Sequence, residues 1–506
     1  MFFTALYRRF FILLLVPLAA AGCTGSVGKS PGFPQLDSPV PPRISEEEAV
    51  SFIRDDFSVS PGFSSHLPLV VIDTKGEMVL PSRVWDPARG HAVPIPGAKP
   101  YVKADIAVIN TSRRVNRLDD MPEFSSPVQI RYSGDVLNPD IKGQYRINLL
   151  DKADRPREAP ILGMDSGEEW ELVASLRDKS LLRNYLAYTM AAELLPFSPD
   201  LRFCEVVFKI RDLYLYWGVF LLAETVKPGP GRVPVSPGGE GENQGFIIRR
   251  DVYDPEEVAL DTYAVKAGLS AGFLNLVYPY ENVTGNMLAG IEEYISRVER
   301  TLYSESPVVY VNYTNYFDVD SFADYFLLSE YFMNFEAGFN SVYMFRDRGG
   351  RIRAGPIWNN VGSFDNLSEP LDPRKIGFFT APWFDRMIRD LFFLKKLESR
   401  YAVLRRTLLD DATVIHRIDE TARWLEPARQ RDWKRWGYAY GGTYGQELTK
   451  IKYILTEHGA VIGNAIRVMT WERQLFDSSY SNGRSSLLAV GFVVLFFLSV
   501  HFGRHH

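Results

Sequence analysis

The residues able to do chemistry in this chain are mostly carboxylates, carboxamides and bases. The body carries four histidines, His66, His91, His416 and His458, and none pairs at metal-ligand spacing. Two cysteines, Cys23 and Cys204, build neither a disulfide framework nor a zinc site. HExxH, the P-loop and GxGxxG are all absent. One GxSxG match stands at Gly268-Leu269-Ser270-Ala271-Gly272. A nucleophile elbow there needs a strand before it, a helix after it, and an acid and a histidine downstream. TYAVKA at 262–267 reads as that strand, with His416 or His458 as the distant base, but so short a pattern arises readily by chance. The remaining groups are the toolkit of phosphoryl transfer, where positioning and charge stabilisation do most of the work. Glu224 ends an apolar strand and needs a cation beside it; Lys142 or Arg131 is the expected partner.

Elements that would position these groups are legible in the hydrophobic pattern. Strands are expected at 66–74, 103–110, 128–132, 144–150, 203–209, 213–225 and 245–250. A helix should start at an Asp178 N-cap and run to Leu195. Pro81 to Pro100 reads as an inserted loop, and the Pro/Gly-rich stretch 227–244 as a lid over a cleft. Helices are expected at 286–303, 319–334, 383–408 and 411–425, then through 424–436 and 444–470. Strands early and helices late predict an α+β body of two lobes with a cleft between them.

The 506 residues suit two or three domains, and 46% hydrophobic with 24% charged residues excludes a disordered chain. A net charge of -5 offers no basic field for nucleic acid. The N-terminus reads as a secretory signal over 1–23: Arg8 and Arg9, an apolar stretch, then Ala20, Ala21 and Gly22 before Cys23. That ending looks like a lipobox, which makes Cys23 the expected lipidation site. Residues 24–60 read as a flexible tether, 61–475 as the body, and 485–502 as an uncharged run just long enough for a transmembrane helix. These readings place the body outside the cytoplasm, held to a membrane.

Several segments, in order, resemble the CotH kinase family, the spore-coat-protein-H-like atypical protein kinases. They are LPLVVIDTKG (67–76), Arg131-Tyr132-Ser133-Gly134 with Lys142-Gly143-Gln144-Tyr145-Arg146-Ile147, and ILGMDSGEEWELVASLRDKSLLRN (161–184). LYWGVFLLAETVK (215–227), MNFEAGFNSVYMFRDRGGRIRAGPIW (333–358) and PWFDRMIRDLFFLKKLESRYAVLR (382–405) follow. The resemblance covers roughly 65–440. It implies a divergent, two-lobed protein-kinase-like fold that binds ATP with Mg²⁺ or Mn²⁺ between the lobes. It places Arg131, Lys142, Lys179, Arg183 and Glu224 at the nucleotide, Glu336 as the catalytic base, and Asn340 with Asn359 at the metal.

Those acidic positions depart from the family pattern. Glu336 stands where the family has Asp, which moves the carboxylate by about 1–1.5 Å; a misplacement of about 1 Å can cost on the order of 100-fold in rate. Asn359 stands where the family has a metal-binding Asp, and it removes the charge that hard cations need. Two functions are therefore expected: residual ATP-dependent phosphoryl transfer to a protein substrate, or a non-enzymatic pseudokinase that serves as an assembly or scaffold protein with an envelope partner.

Overall fold

A computed structural model describes residues 45–111, 115–133, 142–175, 177–239, 241–269, 272–366, 370–437 and 442–481. The strands begin with β1 (Ser58–Val59), β2 (Ser64–Ser65), β3 (Leu69–Asp73), β4 (Arg83–Asp86), β5 (His91–Pro94), β6 (Val102–Ile109) and β7 (Asn116–Arg117). Next come β8 (Phe124–Ser133), β9 (Gln144–Leu149), β10 (Glu169–Ala174), β11 (Leu201–Ile210) and β12 (Leu213–Glu224). The last are β13 (Phe246–Asp251), β14 (Val258–Ala259), β15 (Phe273–Tyr278), β16 (Val342–Arg346) and β17 (Arg353–Ala354). Helices are α1 (Glu46–Ser51), α2 (Arg183–Ala191), α3 (Tyr263–Lys266), α4 (Gly285–Leu302) and α5 (Pro307–Tyr310). They continue with α6 (Val319–Tyr331), α7 (Phe384–Met387), α8 (Leu391–Leu404), α9 (Asp411–Trp436) and α10 (Tyr444–Ser481).

Seven strands close into a barrel in the order β12-β10-β9-β8-β6-β3-β11, and β11 pairs back onto β12. Every pairing in the ring is antiparallel except β11 with β3. Strict alternation explains one half of the wall. Strand β9 sends Tyr145, Ile147 and Leu149 inward, and β6 and β8 add Val102, Ala104, Ile106, Val128 and Ile130. The alternate residues Lys103, Asp105, Gln129, Arg131, Gln144 and Arg146 are polar and face out. Strands β10, β11 and β12 are apolar nearly throughout and buried on both faces. Trp170, Leu172, Val206 and Leu222 fill the barrel. Val173, Phe203, Val219 and Leu221 join a second core with α2, α4, α6, α8, α9, α10 and a five-stranded antiparallel sheet ordered β14-β15-β13-β16-β17.

Helix α9 is fixed to the barrel by buried charge. Arg431 holds Glu205 of β11 through two contacts of 2.8 and 2.7 Å, and Tyr216 donates to the same carboxylate at 2.6 Å. The next residue, Asp432, accepts from the Val219 amide at 2.8 Å and from Lys142 Nζ at 2.5 Å. Gly218 makes that approach possible. Its φ is +113°, and a Cβ there would stand 2.4 Å from Asp432 Oδ1.

This arrangement corrects the expected two-lobed kinase-like fold. The strand-rich part is a closed ring, and its apolar outer side shares one continuous core with the helices. A run buried on both faces looks the same in sequence whether its sheet is open or closed, so ring closure was hidden. The run 485–502 expected to span a membrane, the signal and Cys23 lie outside the described residues; among the described residues no helix is long and apolar enough to cross a membrane. Residues 81–100 hold the β4–β5 hairpin rather than an irregular loop. Helix α1 and strand β1 fall within the stretch read as tether. The 227–244 stretch is not a lid: Val233 and Val235 are buried against Phe197, Ile247 and Tyr343. Residues 263–266 are helical, so the strand that a nucleophile elbow requires is missing before Gly268.

Gly218→Ala is expected to lower unfolding free energy by more than about 1 kcal/mol, because an L side chain is strained at this φ and its Cβ overlaps Asp432. Urea denaturation of the two chains measures the loss.

Candidate functional site

The polar outer face of the barrel builds one wall of a cavity of about 490 Å³. Register places Arg131 of β8 opposite Arg146 of β9, and Arg146 opposite Glu171 of β10. Side chains alternate across a strand, so these three share one face with Ser133, Gln144 and Val173. The facing wall is the second sheet, with Arg249 and Asp251 of β13 and Tyr343 of β16 opposite Arg249. Asn184 and Tyr188 of α2, with Trp358 and Asn359, complete the lining. Arg83 and Ala92 of the β4–β5 hairpin line it beside the loop 252–257. Arg83 ties hairpin to loop by a bidentate pair with Asp254 at 2.8 and 2.9 Å.

Charge in the cavity is largely, but not fully, paired. Arg146 reaches Glu171 at 3.3 Å and Glu169 at 3.8 Å. Burial works to lower the Arg146 pKa, and the two glutamates outweigh it and raise it. Arg249 contacts Glu257 at 2.5 Å and Asp251 at 3.1 Å; burial again opposes, and Tyr343 and the two acids raise its pKa. The Nε atoms of both arginines lack a hydrogen-bond acceptor. Arg131 has no acid or acceptor of its own among the described residues. Burial, and then the neighbouring Arg146 charge, hold its pKa below the ordinary value. An anion in the cavity would meet the Arg131 guanidinium, which is exposed there.

Beside this wall lies a set of four asparagines. Asn184 Oδ1 accepts from the Asn360 amide at 2.7 Å, and Asn334 Nδ2 donates to Asn360 Oδ1 at 2.9 Å. Asn334 Nδ2 also lies 3.4 Å from the Asn359 carbonyl, and Tyr188 Oη accepts from the Asn359 amide at 3.3 Å. Asn359 adopts φ +56°, a conformation asparagine tolerates better than most residues. No carboxylate enters this set. Among the described residues, no group of three His, Cys, Asp or Glu side chains is placed to hold a metal. A hard divalent cation is matched by carboxylates, so these residues do not fit Mg²⁺ or Mn²⁺. The exposed guanidinium of Arg131 fits a phosphate group, such as one of those of ATP.

The structure brings only part of the expected site together. Arg131 and Asn359 line the cavity. Glu336 sits on a 3-10 turn, Phe335–Gly338, and is exposed outside the cavity, as is Asn340. Lys142 has no exposed side-chain surface; it is spent on Asp432 and on the Val219 carbonyl at 2.6 Å. Arg183 is equally sealed, with Asp178 and Glu447 each at 2.6 Å and the Ser363 carbonyl at 2.7 Å. Lys179 is half-buried and does not line the cavity. Glu224 has neither expected partner. Its carboxylate lies 3.6 Å from Arg232 and accepts from the Asp200 amide at 3.0 Å. Burial pushes its pKa up to about 7. Asp178 does not cap a helix from 178; its carboxylate accepts from the Arg183 amide at 2.8 Å, and α2 begins there.

Arg146, Glu171, Arg249, Asp251, Tyr188 and Tyr343 were missed. Their signal was present as charged or polar residues in phase with Arg131 on alternating strands, but only the register of the ring shows that these phases face one space.

A barrel wall, a second sheet and a hairpin converge on a polar cavity lined by both arginines and carboxylates. A family model described as CotH kinase protein matches residues 130–460, and the chain belongs to that family. The match runs from β8 into α10 and so takes in both walls of the cavity. No curated protein matches the chain.

Two outcomes test this assignment of roles. Asp432→Ala leaves the buried Lys142 charge without its partner and should cost about 3–5 kcal/mol in denaturant unfolding, while ligand binding by the protein that remains folded is unchanged. The second concerns pH. Glu224 binds its proton more tightly folded than unfolded, so its contribution to stability should fall as pH rises from about 4.5 to about 7 and then level off. The difference in stability between the parent chain and Glu224→Gln should trace that slope; a difference independent of pH would contradict it.

Proposed function

We propose that this CotH-family protein is a non-catalytic, ligand-binding member that works as a scaffold or assembly protein at the cell envelope. Its cavity holds a phosphate-bearing ligand without a divalent metal. The carrying observation is the division of the expected site. Arg131 stands free in the cavity, whereas Glu336 lies outside it and Lys142 is sealed on Asp432. Transfer of a phosphoryl group needs a base at the acceptor hydroxyl and charge neutralisation at the leaving oxygens. In this reading the Asn359 amide stands in for a metal-binding carboxylate, and Arg131 supplies the positive charge. Anion binding by a planar guanidinium needs no metal. The lipobox-like ending at Cys23 supports an acylated, extracytoplasmic body, where nucleotide is scarce and a binding role is easier to sustain than turnover.

The test is a thermal-shift titration of the protein with ATP, with inorganic triphosphate, and with either in EDTA. The expected result is a rise in melting temperature that EDTA leaves intact and Arg131→Ala abolishes. A radiolabel assay should detect no transfer. Metal-dependent transfer lost in Glu336→Gln or Asn359→Ala would overturn the proposal in favour of an active kinase, with a protein as phosphoacceptor.

A further inference from the structure

The β4–β5 hairpin is set apart from the rest of the fold. It forms a two-stranded sheet of its own, joined to neither the barrel nor the second sheet. Within residues 82–99 only Ala92 is fully buried, and no side chain of the stretch enters a hydrophobic core. Apolar burial is what fixes most elements to a body, and a two-stranded hairpin without it is marginal by itself.

Its polar contacts with the body gather at loop 252–257, between β13 and β14. Arg83 of β4 makes the bidentate pair with Asp254, and its Nη1 stands 3.4 Å from Glu256. Arg83 Nη2 also donates to the Ala92 carbonyl of β5 at 3.0 Å, so one guanidinium clasps both strands of the hairpin and the loop. Beside it the His91 ring meets the Tyr253 ring edge-on, 5.7 Å between centres. The loop is the fixed side, because Glu257 at its end is held by Arg249 of β13.

This clasp closes over the cavity. Arg83 and Ala92 from the hairpin, and Tyr253 and Asp254 from the loop, line the same space as Arg131. The hairpin is joined to the barrel through 79–82 and 95–101, neither of which is in a strand. Such element-terminal stretches absorb the backbone change of a hinge. Gly97, at φ +78°, lies in the second of them. The Arg83 and Asp254 side chains are 19% and 24% exposed, so water and salt reach the pair and it can break without disturbing a core.

We infer that the β4–β5 hairpin is a hinged flap over the cavity, latched by the Arg83–Asp254 pair. When the pair breaks, the hairpin swings from the loop and the cavity opens; when it re-forms, the cavity is covered. The flap governs entry and exit, and only the identity of what passes rests on the ligand-binding reading above.

Opening is measured first without ligand. Ser133 lines the cavity, and Ser133→Cys in the full chain puts a thiol there. Cys204 is buried, and any reaction of Cys23 is measured in the parent chain and subtracted. The rate of labelling by fluorescein maleimide should rise about 10-fold when Arg83→Gln or Asp254→Asn is added. The charge swap, Arg83→Asp with Asp254→Arg, should return it towards the starting rate. Raised salt should speed labelling of the latched chain and not of the two single variants. Rates that the single variants leave unchanged, or that the swap fails to bring back, would overturn the proposal. In stopped flow with ATP the single variants should speed association and dissociation together. The labelling result stands whether or not ATP binds, so a failure of the ligand reading shows in the ATP titration and a failure of the flap in the labelling.

Discussion

The seat of the helical half on the outer side of the barrel wall hangs on two adjacent residues of α9. Arg431 and Asp432 point charge of opposite sign into a region with no access to solvent, and each finds its complement there, Glu205 and Lys142. Desolvating four charges is expensive, and such pairs are retained where they fix one arrangement against alternatives. Here they fix the position of a helix on strands β11 and β12. The same contacts force a glycine at 218, because Asp432 must reach the Val219 amide through the space a side chain would occupy.

The weld also accounts for which residues reach the cavity. Strands β10 to β12 are held between the barrel core and the helices, so their outward charges are either neutralised or removed to an edge. Glu205 is neutralised by Arg431, and Glu171 stays at the cavity edge against Arg146. Strands β8 and β9 carry no helix, and their polar phase is free to line a ligand space. Lys142 precedes β9 and belongs to the weld, while Gln144 and Arg146, two and four residues on, belong to the cavity. A shift of register by one residue would turn Gln144 and Arg146 into the barrel and bring Tyr145 and Ile147 out to the cavity.

Much of this was readable before any coordinates. Alternation in VKADIAVI and QYRINL gave strands with an inner and an outer face, and the charged residues of the outer face were visible as such. Three things were not. The parallel pairing of β3 with β11 joins segments far apart in the chain, and no local pattern encodes it. The partner of Glu224 is Arg232, inside a Pro/Gly-rich stretch that composition marks as loop, so the sequence points instead to Lys142 and Arg131 on or beside other strands. The environment of Lys142 depends on Asp432, almost three hundred residues away, and a lysine before a strand ordinarily faces water. Of the residues that the family likeness names, Arg131 and Asn359 line the cavity, and Glu336 falls on an exposed turn that the likeness does not show.

The closing of the ring has a consequence for how the chain reaches its native state. Strand β3 is made early and stays incomplete until β11 is available, more than a hundred residues later, and the ring also waits for α9 to set the β11–β12 pair. Loop closures of this length put such a protein among slow folders. Until closure, β3 and β11 both carry unsatisfied edges of high β propensity, the kind of surface that recruits other chains. A chain of this topology needs protection from its neighbours between synthesis and closure, and the interval to protect is set by the distance between those two strands in the sequence.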